Sequence, residues 1–179
     1  EAGTDPENNA SKPGLTYGLV AYYPFDGNAS DQSGNGRHGS INGAVSSIDR
    51  YGVVGKAYDF DGNWTRVVLP TMEPLNTFPG SSFSYSGWFN VTNSGGKFFT
   101  YGWSSPGYRI HLTLEDNGSL SFDFGDPSER LFYPAPTNVW THVVCSFDVL
   151  TGKARMYLDG VKQAEDHIVF GGLRLHRAT

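Results

Sequence analysis

The chain has 179 residues, enough for one ordinary domain with a sizeable core, so neither disulfides nor metals are needed to keep it folded. Its net charge of −5 and the lack of any basic run exclude nucleic acid as an expected partner, and no run of about 18 apolar residues offers a membrane span. With 23 Gly, 12 Asp against 6 Glu, and aromatic residues (15%) nearly as abundant as charged ones (17%), the composition favours turns and short strands over helices.

Residues 1–14, EAGTDPENNASKPG, hold no large apolar side chain and two prolines, and are expected to form a flexible linker or leader before a domain spanning 15–179. From Leu19 onward the pattern predicts strands at 18–25, 40–45, 56–61, 65–69, 82–92, 97–103, 108–115, 118–124, 129–133, 140–149, 153–158, 161–166 and 168–175. At most one short helical turn is expected, near Leu75-Asn76-Thr77. The first strand ends in Asp26-Gly27-Asn28 and enters a Gly-rich loop, Asp31-Gln32-Ser33-Gly34-Asn35-Gly36, which can fold sharply and turn carbonyls and carboxylates inward. A hairpin is expected at Asp116-Asn117-Gly118. Beyond it Leu120, Phe122 and Phe124 face one way and Ser119, Ser121 and Asp123 the other, an alternation that predicts a polar face open to solvent. Further on, Val143, Cys145 and Phe147 alternate with His142, Val144 and Ser146. Asp159-Gly160 then carries the strongest hairpin signal, because a type I′ turn needs positive φ at both central residues. The single cysteine, Cys145, reads as a small buried hydrophobe.

Five N-x-S/T sequons, at Asn9, Asn28, Asn63, Asn90 and Asn117, fit an extracellular or cell-surface protein. The segments YYPFDGN, DQSGNGRHG, GKAYDFDG, FSYSGWFNV and WTHVVCSFD with GKARMYLDGV are weak singly, but five in this order are specific. Over residues 18–175 the chain resembles the laminin-G-like jelly-roll domains of the concanavalin A-like lectin/glucanase superfamily. The resemblance implies an all-β, two-sheet antiparallel jelly-roll sandwich used for recognition and attachment. Family members usually carry one more strand, resembling Ile-Asp-x-Val-Arg-Ile-Tyr, that pairs near the first and closes the sheet. This sequence stops at Arg177-Ala178-Thr179, so the closing strand is expected to be missing. Truncation is favoured over an edge covered by the N-terminal tail or strand exchange with a second copy.

Two constellations could hold a ligand. Asp26, Asn28 and Asp31, with Asn35, surround the Gly-rich turn, and Asp59, Asp61 and Asn63 repeat the pattern in YDFDGN. Calcium takes oxygens from carboxylates and tight-loop carbonyls alike. The resemblance makes Asp26 and Asp31 the best-matching ligands, with Asn28 and Asp61 completing the expected metal set, although the same residues are also ordinary turn chemistry. The second constellation is glycan-binding. Trp103-Ser104-Ser105-Pro106-Gly107-Tyr108-Arg109 gathers two aromatic rings and a guanidinium around one loop, and Trp64 sits beside an Asp-Gly-Asn turn. Sugar C–H faces stack on such rings while arginine satisfies hydroxyls. The competing reading makes Trp103 and Tyr108 strand ends packed on the core. Trp88, Trp140 and His142 are expected to be structural, with Trp88 in the core. Catalysis is not expected. Polysaccharide hydrolases of this fold usually present Glu-x-Asp-x-x-Glu on one strand, whereas Glu115-Asp116 and Glu165-Asp166 are adjacent and would point to opposite faces. The expected function is therefore an extracellular, lectin-like module that binds a glycan or glycosylated surface non-covalently, with calcium as the expected ion. The alternative is an adhesive or spacer module that binds protein; a polysaccharide hydrolase is disfavoured by the missing carboxylate pair.

Overall fold

The computed structural model describes residues 18–72, 80–92, 95–102, 109–125 and 129–168. These residues form twelve strands and no helix, in agreement with the all-β expectation. They fall into two compact units, Glu1–Met72 and Glu73–Thr179.

In the first unit β1 (Ser40–Asn42) pairs antiparallel with β4 (Arg66–Val68), and β2 (Val45–Ile48) with β3 (Val54–Asp59). The sequence pattern merged β1 with the start of β2. Gly43, at φ 74°, breaks the chain between them by adopting a conformation that a side chain would oppose. Asp49 closes the β2–β3 hairpin, its Oδ1 accepting the N–H groups of Tyr51 (2.9 Å) and Val53 (2.8 Å). The expected strand at 18–25 is not formed. Its backbone groups are engaged by side chains of the following loop instead of a neighbouring strand. The N–H of Tyr22 donates to Asp31 Oδ1 (2.9 Å), and the carbonyl of Val20 accepts from Asn35 Nδ2 (3.1 Å) and Arg37 Nη1 (2.7 Å).

In the second unit β5 (Phe83–Asn90), β10 (Trp140–Asp148), β11 (Lys153–Leu158) and β12 (Val161–His167) form an antiparallel sheet in the order β12-β11-β10-β5. The strands β6 (Gly96–Gly102), β7 (Arg109–Leu114), β8 (Ser119–Asp123) and β9 (Arg130–Pro134) form another, in chain order. The alternation read in 142–147 is realised: Val143, Cys145 and Phe147 are at most 3% exposed. They share one core with Ala154 and Met156 of β11 and with Ile110, Leu112, Leu120 and Phe122 of the facing sheet. Edge-to-face and tilted rings join the two layers, with Phe83 6.2 Å from Phe122 and Phe124 5.4 Å from Phe147. Each such ring, fully buried, contributes on the order of 2–3 kcal/mol.

Two further expectations are corrected. Trp88 is not a core residue. Along β5 it is Phe83, Tyr85 and Phe89 that turn inward, so Trp88 points outward, 42% exposed, and stacks on His142 with ring centroids 5.1 Å apart. The outward face of β8 is not open to solvent either, since Ser121 is fully buried. The expected strand at 168–175 beyond Ile168, the helical turn near 75–77 and the N-terminal segment 1–14 lie outside the described residues.

Candidate functional site

On the β6–β9 sheet every second side chain points away from the core, and the strand register aligns these side chains. His111 on β7 is paired with Thr100 on β6 and Asp123 on β8, and Asp123 with Arg130 on β9. One step along, Thr113 is paired with Lys97 and Ser121, and Ser121 with Phe132. Arg109, two positions before His111, shares this face.

The face is polar yet shielded, with His111 8% exposed and Ser121 0%. Such groups must be partnered, because burying a polar atom without a hydrogen bond is costly. His111 Nδ1 lies 3.4 Å from Asp123 Oδ1, which also accepts the N–H of Gly125 at 3.0 Å. The Ser121 hydroxyl donates to Glu115 Oε1, which lies 3.8 Å from Arg130 Nη1. Arg130 in turn rests over the Phe132 ring, 4.4 Å from its centroid. Two atoms depart from this pattern: Nε of Arg109 and Nε of Arg130 are screened from solvent and have no hydrogen-bond partner. Burial pushes the His111 pKa down, and Lys97 and Arg109 add to that; the opposing pull of Asp123 does not cancel it, so the ring is mainly neutral at pH 7.

In the first unit Trp64 is 87% exposed and holds φ 66°, a conformation that a bulky residue adopts only under constraint. Asp61 supplies the constraint. Its Oδ1 accepts the N–H of Asn63 (2.8 Å) and the hydroxyl of Thr65 (2.9 Å) on either side of the tryptophan.

The residues expected to hold calcium are otherwise engaged. Asp31, 5% exposed, accepts four hydrogen bonds: from Tyr22 N and Ser33 N on Oδ1, and from Ser33 Oγ and Arg37 N on Oδ2. Burial alone would raise its pKa, but these bonds outweigh burial and hold the carboxyl well below the usual range. Asp26 pairs with Lys56 Nζ at 3.1 Å, and the side-chain oxygen of Asn28 caps the N–H of Ser30 at 2.8 Å. Among the described residues no group of three or more His, Cys, Asp or Glu is arranged to hold a metal ion.

Of the expected glycan contacts, Arg109 lies on the polar face of the second unit and Trp64 at its own exposed turn, while Trp103 and Tyr108 lie outside the described residues. Sequence reasoning missed His111, Ser121, Asp123, Arg130 and Phe132 as site residues. The alternation in RIHLTL and SLSFD already put His111, Ser121 and Asp123 on one side; what it lacked was the register that brings β9 alongside them.

Comparison with known proteins agrees with this architecture. Domain 4 of AbnA, a GH43 extracellular arabinanase from Geobacillus stearothermophilus solved in complex with arabinotriose, matches with a TM-score of 0.58 over 86% of this chain and 79% of that one. At 22% sequence identity the likeness establishes the fold. No curated protein matches the chain. A family model of laminin-G type matches residues 61–174, well over half of the sequence. The chain belongs to the concanavalin A-like lectin/glucanases superfamily.

Proposed function

We propose that this chain is a non-catalytic carbohydrate-binding module of an extracellular protein, and that the outward face of the β6–β9 sheet receives the sugar. The observation that carries this reading is the outer layer of that face, the half-exposed Phe132 ring with the part-exposed Arg109 and Arg130 side chains and the exposed Thr100, held in place by the shielded hydrogen-bonded groups His111, Ser121 and Asp123 beneath. A glycan offers what such a layer matches: hydroxyls that donate and accept, and a C–H face for the ring. The arabinotriose complex of the structural neighbour supports the ligand class, and that protein's extracellular setting supports the location. Hydrolysis is disfavoured because the carboxylates on this face, Asp123 and Glu115, are tied to Gly125 and Ser121 and to neighbouring cations rather than free to act as acid and base. Trp64 offers a second, independent stacking surface.

A glycan panel followed by NMR titration of the best binder tests the reading. Phe132→Ala is expected to weaken binding at least tenfold with the fold intact. Trp64→Gly is expected to stabilise the fold by about 1 kcal/mol, because glycine adopts positive φ without strain, while lowering affinity if Trp64 touches sugar. Repeating the titration with a chelator tests calcium: lost binding shows that an ion is required, and unchanged binding leaves Asp26, Asn28, Asp31 and Asp61 as loop organisers. Silence from the folded chain would favour an adhesive or spacer role.

A further inference from the structure

The polar face carries more fixed positive charge than it neutralises. Its cations are Lys97, Arg109 and Arg130, joined by the titratable His111, and its anions are Asp123 and Glu115. Both carboxylates are already engaged, Asp123 by Gly125 N–H with His111 beside it, and Glu115 by Ser121 with Arg130 nearby. Among the described residues no carboxylate lies within ion-pair distance of Arg109 or Lys97.

The two arginines add a directional signal. Each keeps its Nε out of water without an acceptor. Leaving such a donor unmatched costs about 1–3 kcal/mol, more when it is charged, and no protein acceptor fixes either guanidinium through that edge. Arg109 on β7 and Arg130 on β9 flank β8, so their strands stand two spacings apart, about 10 Å, a distance that one oligosaccharide can bridge. Both side chains are nonetheless part-exposed, and the two terminal Nη groups of a guanidinium offer parallel N–H donors that a planar carboxylate matches better than a hydroxyl, which meets them at one point.

We infer that this face selects an acidic glycan, a uronic-acid oligosaccharide whose carboxylates meet the Arg109 and Arg130 guanidinium groups. The inference rests on the sugar-binding reading of the same face and narrows it to a charged ligand class. Lys97 adds long-range attraction, and Thr100 and Thr113 supply hydroxyls for the uncharged part of the ring.

The test compares three ligands of equal length by calorimetry with the full chain: an oligogalacturonate, its methyl ester, and a sulfated neutral oligosaccharide. The acid is expected to bind at least tenfold more tightly than the ester, and Arg109→Gln is expected to abolish that preference while Arg109→Lys keeps part of it. The acid–ester comparison needs no variant, so it stands even if a substitution unfolds the protein. Equal affinity for acid and ester would overturn the charge selection and leave sugar binding intact. Tighter binding of the sulfated sugar than of the uronate would overturn the carboxylate assignment. Failure of a folded chain to bind any sugar would remove the reading on which the inference stands.

Discussion

At the scale of single residues, Asp31 is the clearest case of one side chain determining local structure. Its carboxylate replaces a strand neighbour for Tyr22 and ties Ser33 and Arg37 into the same turn. Removing it leaves the backbone donors unmatched, so Asp31→Ala is expected to destabilise the first unit by roughly 3 kcal/mol at pH 7. The pH dependence has a definite sign. Because the folded-state pKa lies below the unfolded value, the folded chain binds fewer protons, and the contribution is present above about pH 5 and lost as pH falls towards the folded-state value. Urea unfolding of wild type and variant should therefore converge between about pH 5 and pH 2, and a gap that stays constant over that range would show that the ionised carboxylate is not the source. This residue also marks a limit of sequence reading. Asp-x-Ser-Gly-x-Gly announces a turn, yet nothing local says that its carboxylate reaches back nine residues to Tyr22 and prevents an otherwise strand-like YYPF segment from pairing. Trp88, expected in the core from its place inside SYSGWFNV, shows the opposite limit: its position in the alternation of β5 points it outward.

At the scale of elements, period-two patterns and turn chemistry were enough to identify most strands of the second unit, because both signals are local. The β11–β12 hairpin is the best example. Asp159 and Gly160 hold φ 48° and 79°, as a type I′ turn requires, and Asp159 fixes the turn to β10 by accepting the N–H of His142 on Oδ1 (2.9 Å) and donating its own N–H to the His142 carbonyl (2.9 Å). A β-branched residue resists positive φ, so Gly160→Val is expected to cost about 2 kcal/mol, seen as a lower denaturation midpoint with an unchanged denaturant slope. Glu165 draws Lys153, Arg155 and Lys162 together on the same pair of strands and its pKa falls to about 2, but these charges are solvated, so Glu165→Gln should have a much smaller effect. A Gly160→Val variant no less stable than wild type would show that the turn is not the register-setting device. The polar layer on β7–β9 was only half legible. Its residues could be assigned to a side from RIHLTL and SLSFD, but the burial of His111 and Ser121 is a property of the folded molecule that no single strand reveals.

At the scale of the whole molecule, the two sheets of the second unit differ in how far apart in sequence their strands lie. β6, β7, β8 and β9 follow one another in sequence, each pairing with the next. The other sheet joins β5 to β10 across all four of them. During synthesis at about 5–20 residues per second, the meander can be complete, and able to receive the Phe83, Tyr85 and Phe89 rings, while the backbone of β5 still lacks β10 as its hydrogen-bonding neighbour. Pulse-labelling hydrogen exchange during refolding should therefore find the amides of β7 and β8 protected before those of β5, and simultaneous protection would argue for collapse in one step. The long pairing that completes the sandwich thus leaves β5 with unpaired backbone groups on the nascent chain until β10 emerges, and an open strand edge of that kind is a template on which another chain can pair.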